Sequence, residues 1–246
     1  MPGPTIAVDP EFWRAQALND MVRKLQPEIL INDRSGLKED FDTPEQVVTA
    51  SAPGRRWESC MTIGDFCTWG YVEHNPNLKP TSQLIQHLVT TASNEGNFVL
   101  NIGPRADGTV QREFVECLGQ MGAWMRVNGE SIRGSERLPE GWGGLGPFWP
   151  VSGSMLGTCT ARGDRVYLHV FRWPGSIACI TGMKSRVRSA RQLATGQEME
   201  VEHLADGRLF LKGLPTLPPD PYDSVLVLDL DGRPETVSYD GIPLEA

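Results

Sequence analysis

The chain has 246 residues, 39% of them hydrophobic, and a formal net charge of −8 at pH 7. That length is ample for a core and suits one large domain or two modest ones. The acidic balance argues against nucleic acid, whose phosphates call for clustered Lys and Arg, and no run approaches the roughly 18 apolar residues of a membrane span.

The N-terminal Met1-Pro2-Gly3-Pro4 opens no basic-then-apolar leader pattern. Phe12 to Gln26 carries Leu18, Met21, Val22 and Leu25 at helical spacing. Asp9-Pro10 supplies an N-cap and a first-turn proline, and Pro27 stops the helix. Glu28 to Asn32 reads as a short buried parallel strand. An irregular stretch follows to about Arg55. Pro80-Thr81-Ser82 opens a second helix with Leu84, Ile85, Leu88 and Ala92 on one face and Gly96 as its C′ residue. Asn97 to Gly103 reads as another short buried strand, and Asp107-Gly108 as a turn. Phe114, Leu118, Met121 and Met125 mark a third helix that ends near Gly129. This alternation predicts an α/β layer arrangement around a parallel sheet with right-handed crossovers. In a β/α barrel the C-terminal strand ends build the active site, which is where Asn32, Asp33, Arg34 and Asn101 fall.

A Gly/Pro/Trp-rich link runs from Leu138 to Pro150, and beyond it the periodicity changes to two. Residues 165–171, 198–203, 208–212 and 224–230 alternate or run apolar, separated by turn signals such as Gly163-Asp164, Asp206-Gly207 and Asp231-Gly232. Short strands at this spacing predict an antiparallel β-sandwich. The expected division is an α/β part over 1–137 and an all-β part over 138–246. Cys60, Cys67, Cys117, Cys159 and Cys179 are scattered without a C-x-x-C pair, so reduced and mostly buried thiols are expected. The histidines His74, His87, His169 and His203 show no metal-ligand spacing either, and neither metal nor cofactor is expected.

Two windows concentrate chemistry. Asn32-Asp33-Arg34 with Asp40-Phe41-Asp42-Thr43-Pro44-Glu45 puts an arginine and several carboxylates after a barrel-type strand. Trp57-Glu58 through Thr68-Trp69-Gly70-Tyr71 adds another carboxylate and two tryptophans. A glycosidase needs a proton donor for the leaving oxygen and a second carboxylate for the anomeric carbon. Trp rings stack on the apolar faces of sugars, and Arg holds hydroxyls without changing charge. No G-x-S-x-G elbow and no phosphate-binding G-x-x-x-x-G-K-[ST] loop is present.

The windows I-L-I-N-D-R, D-F-D-T-P-E-Q, W-E-S-C-M-T-I, T-W-G-Y, G-N-F-V-L-N-I-G-P-R-A-D-G-T and W-M-R-V-N-G-E-S-I, in that order across residues 12–135, resemble the α-L-fucosidases of glycoside hydrolase family 29. The resemblance implies a partial (β/α)8-type (TIM) barrel over 1–137 followed by a C-terminal antiparallel β-sandwich over 138–246. It implies a retaining removal of terminal α-L-fucose from oligosaccharides or glycoconjugates. Glu45 matches the acid/base position of part of the family and is favoured. Glu58 matches the position used by other members and is the alternative. Arg34 matches a fucose-contacting arginine, and Trp69 an aromatic that packs on the sugar ring and its methyl group. Plainer roles stand beside these: a salt bridge from Arg34 to Asp33 or Asp40, a core role for Trp69, a loop-holding role for Glu58. Trp57 reads as structural, and Asn101 as a hydrogen-bonding residue of the barrel rim.

The family's nucleophile is an Asp upstream of the first helix, and by spacing it falls within the first few residues or just before Met1. Met1 to Pro4 contain no Asp, and Asp9 reads as an N-cap. The resemblance therefore implies the second part of a fucosidase, without the nucleophile Asp and weakly active or inactive alone. Completing such a barrel calls for the N-terminal segment or for oligomerisation. The competing expectation is a non-catalytic carbohydrate-binding or assembly module using the same Trp and Arg residues. The compartment is left unassigned.

Overall fold

The structure is a computed structural model and describes residues 9–65, 68–73, 77–138, 156–205 and 208–236. Helix α1 (Ala15–Leu25) begins later than its apolar spacing predicts. Asp9 caps the preceding turn and not the helix: its carboxylate accepts the Glu11 N–H at 2.9 Å. Arg14, at φ 50°, then turns the chain into α1. The seated face of the helix is its polar one. Asn19 donates to Glu39 at 2.7 Å, and Arg23 pairs with Glu39 and Asp40, each at 2.8 Å. Leu18, Met21 and Leu25, the stripe expected to face a core, stand exposed.

The predicted buried strand at 28–32 begins in a turn, with the Ile29 N–H donating to the Gln26 carbonyl at 3.1 Å, and carries one parallel bridge, Asn32 to Phe41; Leu30 is exposed. Among the described residues nothing covers its apolar run, so the run stays open. The stretch expected to be irregular contains a second extended segment, with parallel bridges from Asp42 to Trp57 and from Glu45 to Cys60. It leads to β1 (Glu58–Thr62), which pairs in parallel with β2 (Asn97–Asn101). Alternation sends Ser59, Met61 and Ile63 to a fully buried face. There Ile63 packs with Leu84, Ile85 and Val89 of α2 (Thr81–Ala92) and with Phe114, Met121 and Trp124 of α3 (Arg112–Asn128). Cys60 and Val99, on strand positions of the other parity, keep part of their surface exposed.

Gly96 does not serve as the C′ residue of α2, whose C-cap is Ser93, while Glu95 takes the left-handed conformation at φ 58°. Gly96 is needed for space: a Cβ there would lie 2.4 Å from the Trp57 ring. Trp57 itself is buried and donates its indole N–H to the Asn94 carbonyl at 2.9 Å.

The described residues of the β part form seven strands where four were expected. They are β3 (Gly157–Arg162), β4 (Arg165–Val170), β5 (Ile177–Ile180), β6 (Val187–Gln192), β7 (Glu198–His203), β8 (Leu209–Lys212) and β9 (Ser224–Leu230). Their order is β3-β4-β9-β6-β7-β8-β5, with every neighbour antiparallel. Ala178, Ile180, Leu209 and Leu211 from β5 and β8 share one core with Leu168, Leu226 and Leu228 from β4 and β9, which closes the sheet into a sandwich. The opposite face of β4 and β9 seats on α3. Tyr167, Val225 and Val227 join the helical cluster, and Trp124 donates to the Asp223 carbonyl at 3.0 Å.

Met1 to Pro4, Cys67, His74, Asp206-Gly207 and the link beyond Leu138 lie outside the described residues. The other four cysteines are free thiols, and the expectation that they are mostly buried is half met. Cys117 and Cys159 are buried, Cys60 is partly exposed, and Cys179 is exposed.

Candidate active site

The parallel segments deliver their polar residues to one open cleft of about 760 Å³. Arg34, Glu45, Cys60, Trp69 and Asn101 line it, together with the β2 stretch from Val99. Arg34 sits in a single 3-10 turn, Asp33–Ser35. Asn32 caps that turn by accepting the Arg34 N–H at 3.2 Å, and Gly36, at φ 81°, closes it. Asp33 is tied down by Thr43, whose N–H and hydroxyl reach its carboxylate at 3.0 and 2.7 Å. Asp40 belongs to Arg23 and to the Ile31 N–H. Neither aspartate therefore takes the Arg34 guanidinium, which instead donates to Glu45.

The remaining carboxylates of the loop are also committed. Arg55 pairs with Asp42 at 2.7 Å and holds it below the usual carboxylate range by hydrogen bonding. Glu39 is lowered first by its hydrogen bond from Arg23, and Asp40 first by the Ile31 N–H. Glu45 is the carboxylate left facing the cleft, and among the described lining residues it is the only one. Its side chain is 42% exposed and that of Arg34 44%. An ion pair that open contributes about 0–1 kcal/mol, so hydroxyl groups entering the cleft can replace it at little cost.

Glu58 starts β1 at the strand's N-terminal end, opposite Asn97, and its N–H donates to the Asp42 carbonyl at 2.9 Å. That is four residues, about 13 Å, from the C-terminal end of the strand. Glu58 is not among the cleft-lining residues.

Trp69 enters the cleft from the loop at 68–73. That loop lies so close to the turn after β2 that a Cβ on Gly103 would fall 2.3 Å from the Gly70 carbonyl carbon. Arg105 adds a cation–π contact over the Tyr71 ring, 5.5 Å from its centroid. Asn101 carries a buried side-chain oxygen with no hydrogen-bond partner at the edge of the cleft. Cys60 was not among the expected site residues. Strand alternation from Glu58 was the available signal, since it puts Cys60 on the face opposite the buried Ser59 and Met61.

None of the described histidines, His87, His169 and His203, is among the residues that line the cleft. His87 is held below its ordinary pKa by burial and then by nearby Lys79. His169 is fully buried against Asp223 at 2.6 Å. Among the described residues no group of His, Cys, Asp and Glu could hold a metal ion, and no helix is long and apolar enough to cross a membrane.

A family model described as Alpha-L-fucosidase matches residues 7–130. The tissue alpha-L-fucosidase of Homo sapiens is 28% identical over 208 residues, which cover 79% of this chain and 42% of that protein. Alpha-L-fucosidase isoenzyme 1 from Paenibacillus thiaminolyticus superposes with a TM-score of 0.76 at 29% identity, covering 90% of this chain and 54% of that one. An alpha-L-fucosidase from Vibrio sp. strain EJY3 gives a TM-score of 0.74 at 26% identity, covering 90% of this chain and 39% of the other. The chain thus spans about half the length, or less, of the relatives it matches.

Proposed function

The chain belongs to the α-L-fucosidase family, and from that premise we propose that its cleft is the acid/base side of a retaining α-L-fucosidase site. The observation that carries the reading is the pairing of Arg34 with Glu45 in a cleft walled by Trp69. Glu45, protonated, gives its proton to the glycosidic oxygen while a nucleophilic Asp attacks the anomeric carbon. That bond forms as the bond to the leaving oxygen breaks. Glu45, now a carboxylate, takes a proton from the water that releases fucose from the glycosyl-enzyme. Arg34 turns from Glu45 to the sugar hydroxyls, and Trp69 packs against the ring and its methyl group. The substrate class is a terminal α-L-fucose on an oligosaccharide or glycoconjugate. Glu58, placed away from the cleft lining, is the alternative acid/base.

The nucleophile comes from polypeptide beyond the described residues. The parallel segments are part of a (β/α)8-type barrel, with its boundary to the sandwich near residue 137. Glu136 bridges Ala161 and Leu138 packs in the sandwich core, which supports a boundary there. The exposed stripe of α1 and the open face bearing Val99 are where further barrel strands would seat, supplied by another segment or another copy. One observation favours the second reading, a carbohydrate-binding or assembly module without catalysis: Glu45 is the only carboxylate among the described cleft-lining residues.

The test is hydrolysis of an aryl α-L-fucoside by the chain, alone and co-expressed with the remaining barrel strands of a family member. Glu45→Ala is expected to abolish turnover in the completed protein. Azide should restore it and yield α-L-fucosyl azide, because azide then attacks the glycosyl-enzyme from the acid/base side. Azide rescue of Glu58→Ala and not of Glu45→Ala would move the role to Glu58. No hydrolysis by the completed wild type, with sugar binding intact, would favour the module.

A further inference from the structure

Gln46, directly after the cleft glutamate, holds a left-handed backbone at φ 58°. Non-glycine residues keep that conformation only where their surroundings over-determine it. The surroundings here are polar. The Gln46 N–H donates to the Cys60 carbonyl at 2.9 Å, the last backbone–backbone bond between the 42–46 segment and β1. Its amide nitrogen donates to the Thr62 hydroxyl at 2.9 Å. Its amide oxygen faces the Thr62 N–H at 3.4 Å and the Lys79 ammonium at 3.5 Å.

Lys79 is itself a buried cation, only 9% exposed, with no part in the proposed chemistry. Burying an ammonium is costly unless it is fully paired. Its partners are the carbonyls of Thr62 at 2.9 Å and Gly64 at 3.0 Å, the Thr62 hydroxyl at 3.3 Å and Asp65 at 3.6 Å. All of them lie at or just past the C-terminal end of β1. The 42–46 segment runs along 56–60 through two isolated bridges, Asp42–Trp57 and Glu45–Cys60, and the backbone hydrogen bonds around them, which end at Gln46. A slip of one residue in such a segment would turn Glu45 to the opposite face.

We infer that Lys79, Gln46 and Thr62 form a positioning brace, which clamps the 42–46 segment in register on β1 and so keeps the Glu45 carboxylate against Arg34 in the cleft. The inference deepens the proposed function and rests on its placing Glu45 at the reaction centre. Lys79 and Gln46 are positioning residues and touch no substrate.

The test reads the ligand-free geometry by NMR on the full chain. Variants Lys79→Met, Gln46→Gly and their combination are compared with wild type, with Glu45→Gln as the reference for a broken Arg34 pair. Glycine tolerates the left-handed backbone, so Gln46→Gly removes the side chain without adding strain. Each single variant is expected to speed amide exchange at Gln46 and Cys60 by about tenfold, the loss of one hydrogen bond to a charged group. The Arg34 guanidinium signals should move toward those of Glu45→Gln. The double variant should go no further than either single one, because the two act as a unit. Amides of β4 and β9 should not change. Gln46→Glu, which keeps an oxygen for Lys79, should retain the wild-type Arg34 signals.

Unchanged Arg34 signals in Gln46→Gly would overturn the brace, even with faster exchange, because Gln46 would then serve only the fold. Additive effects in the double variant would overturn it as well. If Lys79→Met does not fold, Gln46→Gly and Gln46→Glu decide alone. A wild-type cleft that binds no fucose-configured iminosugar would sink the fucosidase reading without touching these signals, so the two failures are separable.

Discussion

Alanine at Gly103 is a small change aimed at the wall of the cleft. Its Cβ would sit 2.3 Å from the Gly70 carbonyl carbon, 2.4 Å from that carbonyl oxygen and 2.5 Å from the Tyr71 nitrogen. Carbon atoms rest about 3.5–4.0 Å apart, so the 68–73 loop must retreat by about 1 Å. The obstructing atoms are backbone, and no side-chain rotation can relieve them. Overpacking of this kind costs about 1–3 kcal/mol. For a chain of this length each kcal/mol lowers the melting temperature by about 2–4 °C. Trp69 rides on the same loop, so its indole should move with it and the cleft should lose sugar affinity. Differential scanning calorimetry reads the first effect, and titration with a fucose-configured iminosugar reads the second. Gly119→Ala is the control. It lies exposed in the middle of α3 with nothing within 4 Å of the added carbon. That variant should gain about 0.5–1 kcal/mol from helix propensity. A Gly103→Ala chain that melts with the wild type and binds as well would refute the close-packing argument.

Three further outcomes follow from the same geometry. Glu39 and Asp42 are held below their ordinary values of 4.5 and 3.8 by Arg23 and Arg55. A depressed carboxylate stabilises the fold above its unfolded pKa, and that contribution is lost as pH falls through the folded pKa. The 33–55 segment should therefore lose stability as pH falls below about 4; hydrogen exchange in that segment that does not rise on acidification would contradict this. Asp223→Ala leaves the fully buried His169 without its partner at 2.6 Å, a loss of about 1–3 kcal/mol by urea unfolding; no measurable loss would remove the pair from the stability account. Thiol labelling of the native chain should reach Cys179 and Cys60 and spare Cys117 and Cys159. Burial pushes the Cys159 thiol well up, and rapid labelling of Cys159 in folded protein would count against the packing of β3.

What could be read from residue order was what periodicity controls. The apolar spacing of Leu84, Ile85 and Leu88 marked α2, and the alternation in 165–171 and 224–230 marked β4 and β9. The misses have physical causes. β6 reads Val-Arg-Ser-Ala-Arg-Gln, and only its position between β9 and β7 makes it a strand. The helical stripe of α1 was legible, yet Arg14 in the left-handed region delays the helix and Asn19 and Arg23 seat its polar side. Burial on both faces of Glu28 to Asn32 depends on neighbours that local sequence does not specify. Arg34, Glu45 and Trp69 stand out from motifs alone, and the fold brings the three to one cleft. Which carboxylate Arg34 would choose was not legible, because the choice turns on Thr43 engaging Asp33 and on Arg23 engaging Asp40. The brace behind Glu45 was invisible for the same reason: Lys79 lies far along the chain from Gln46, and only the fold brings its ammonium to the Gln46 amide oxygen and the end of β1.

The central claim is that Arg34, Glu45 and Trp69 form one sugar-binding cleft. Calorimetric titration of the purified chain with a fucose-configured iminosugar tests it most directly. The account predicts saturable binding by the wild type, with Arg34→Met and Trp69→Ala each weakening it by about tenfold or more, as expected for a charged hydrogen bond and an aromatic anchor. Binding that is absent, or that both variants leave unchanged, would contradict it.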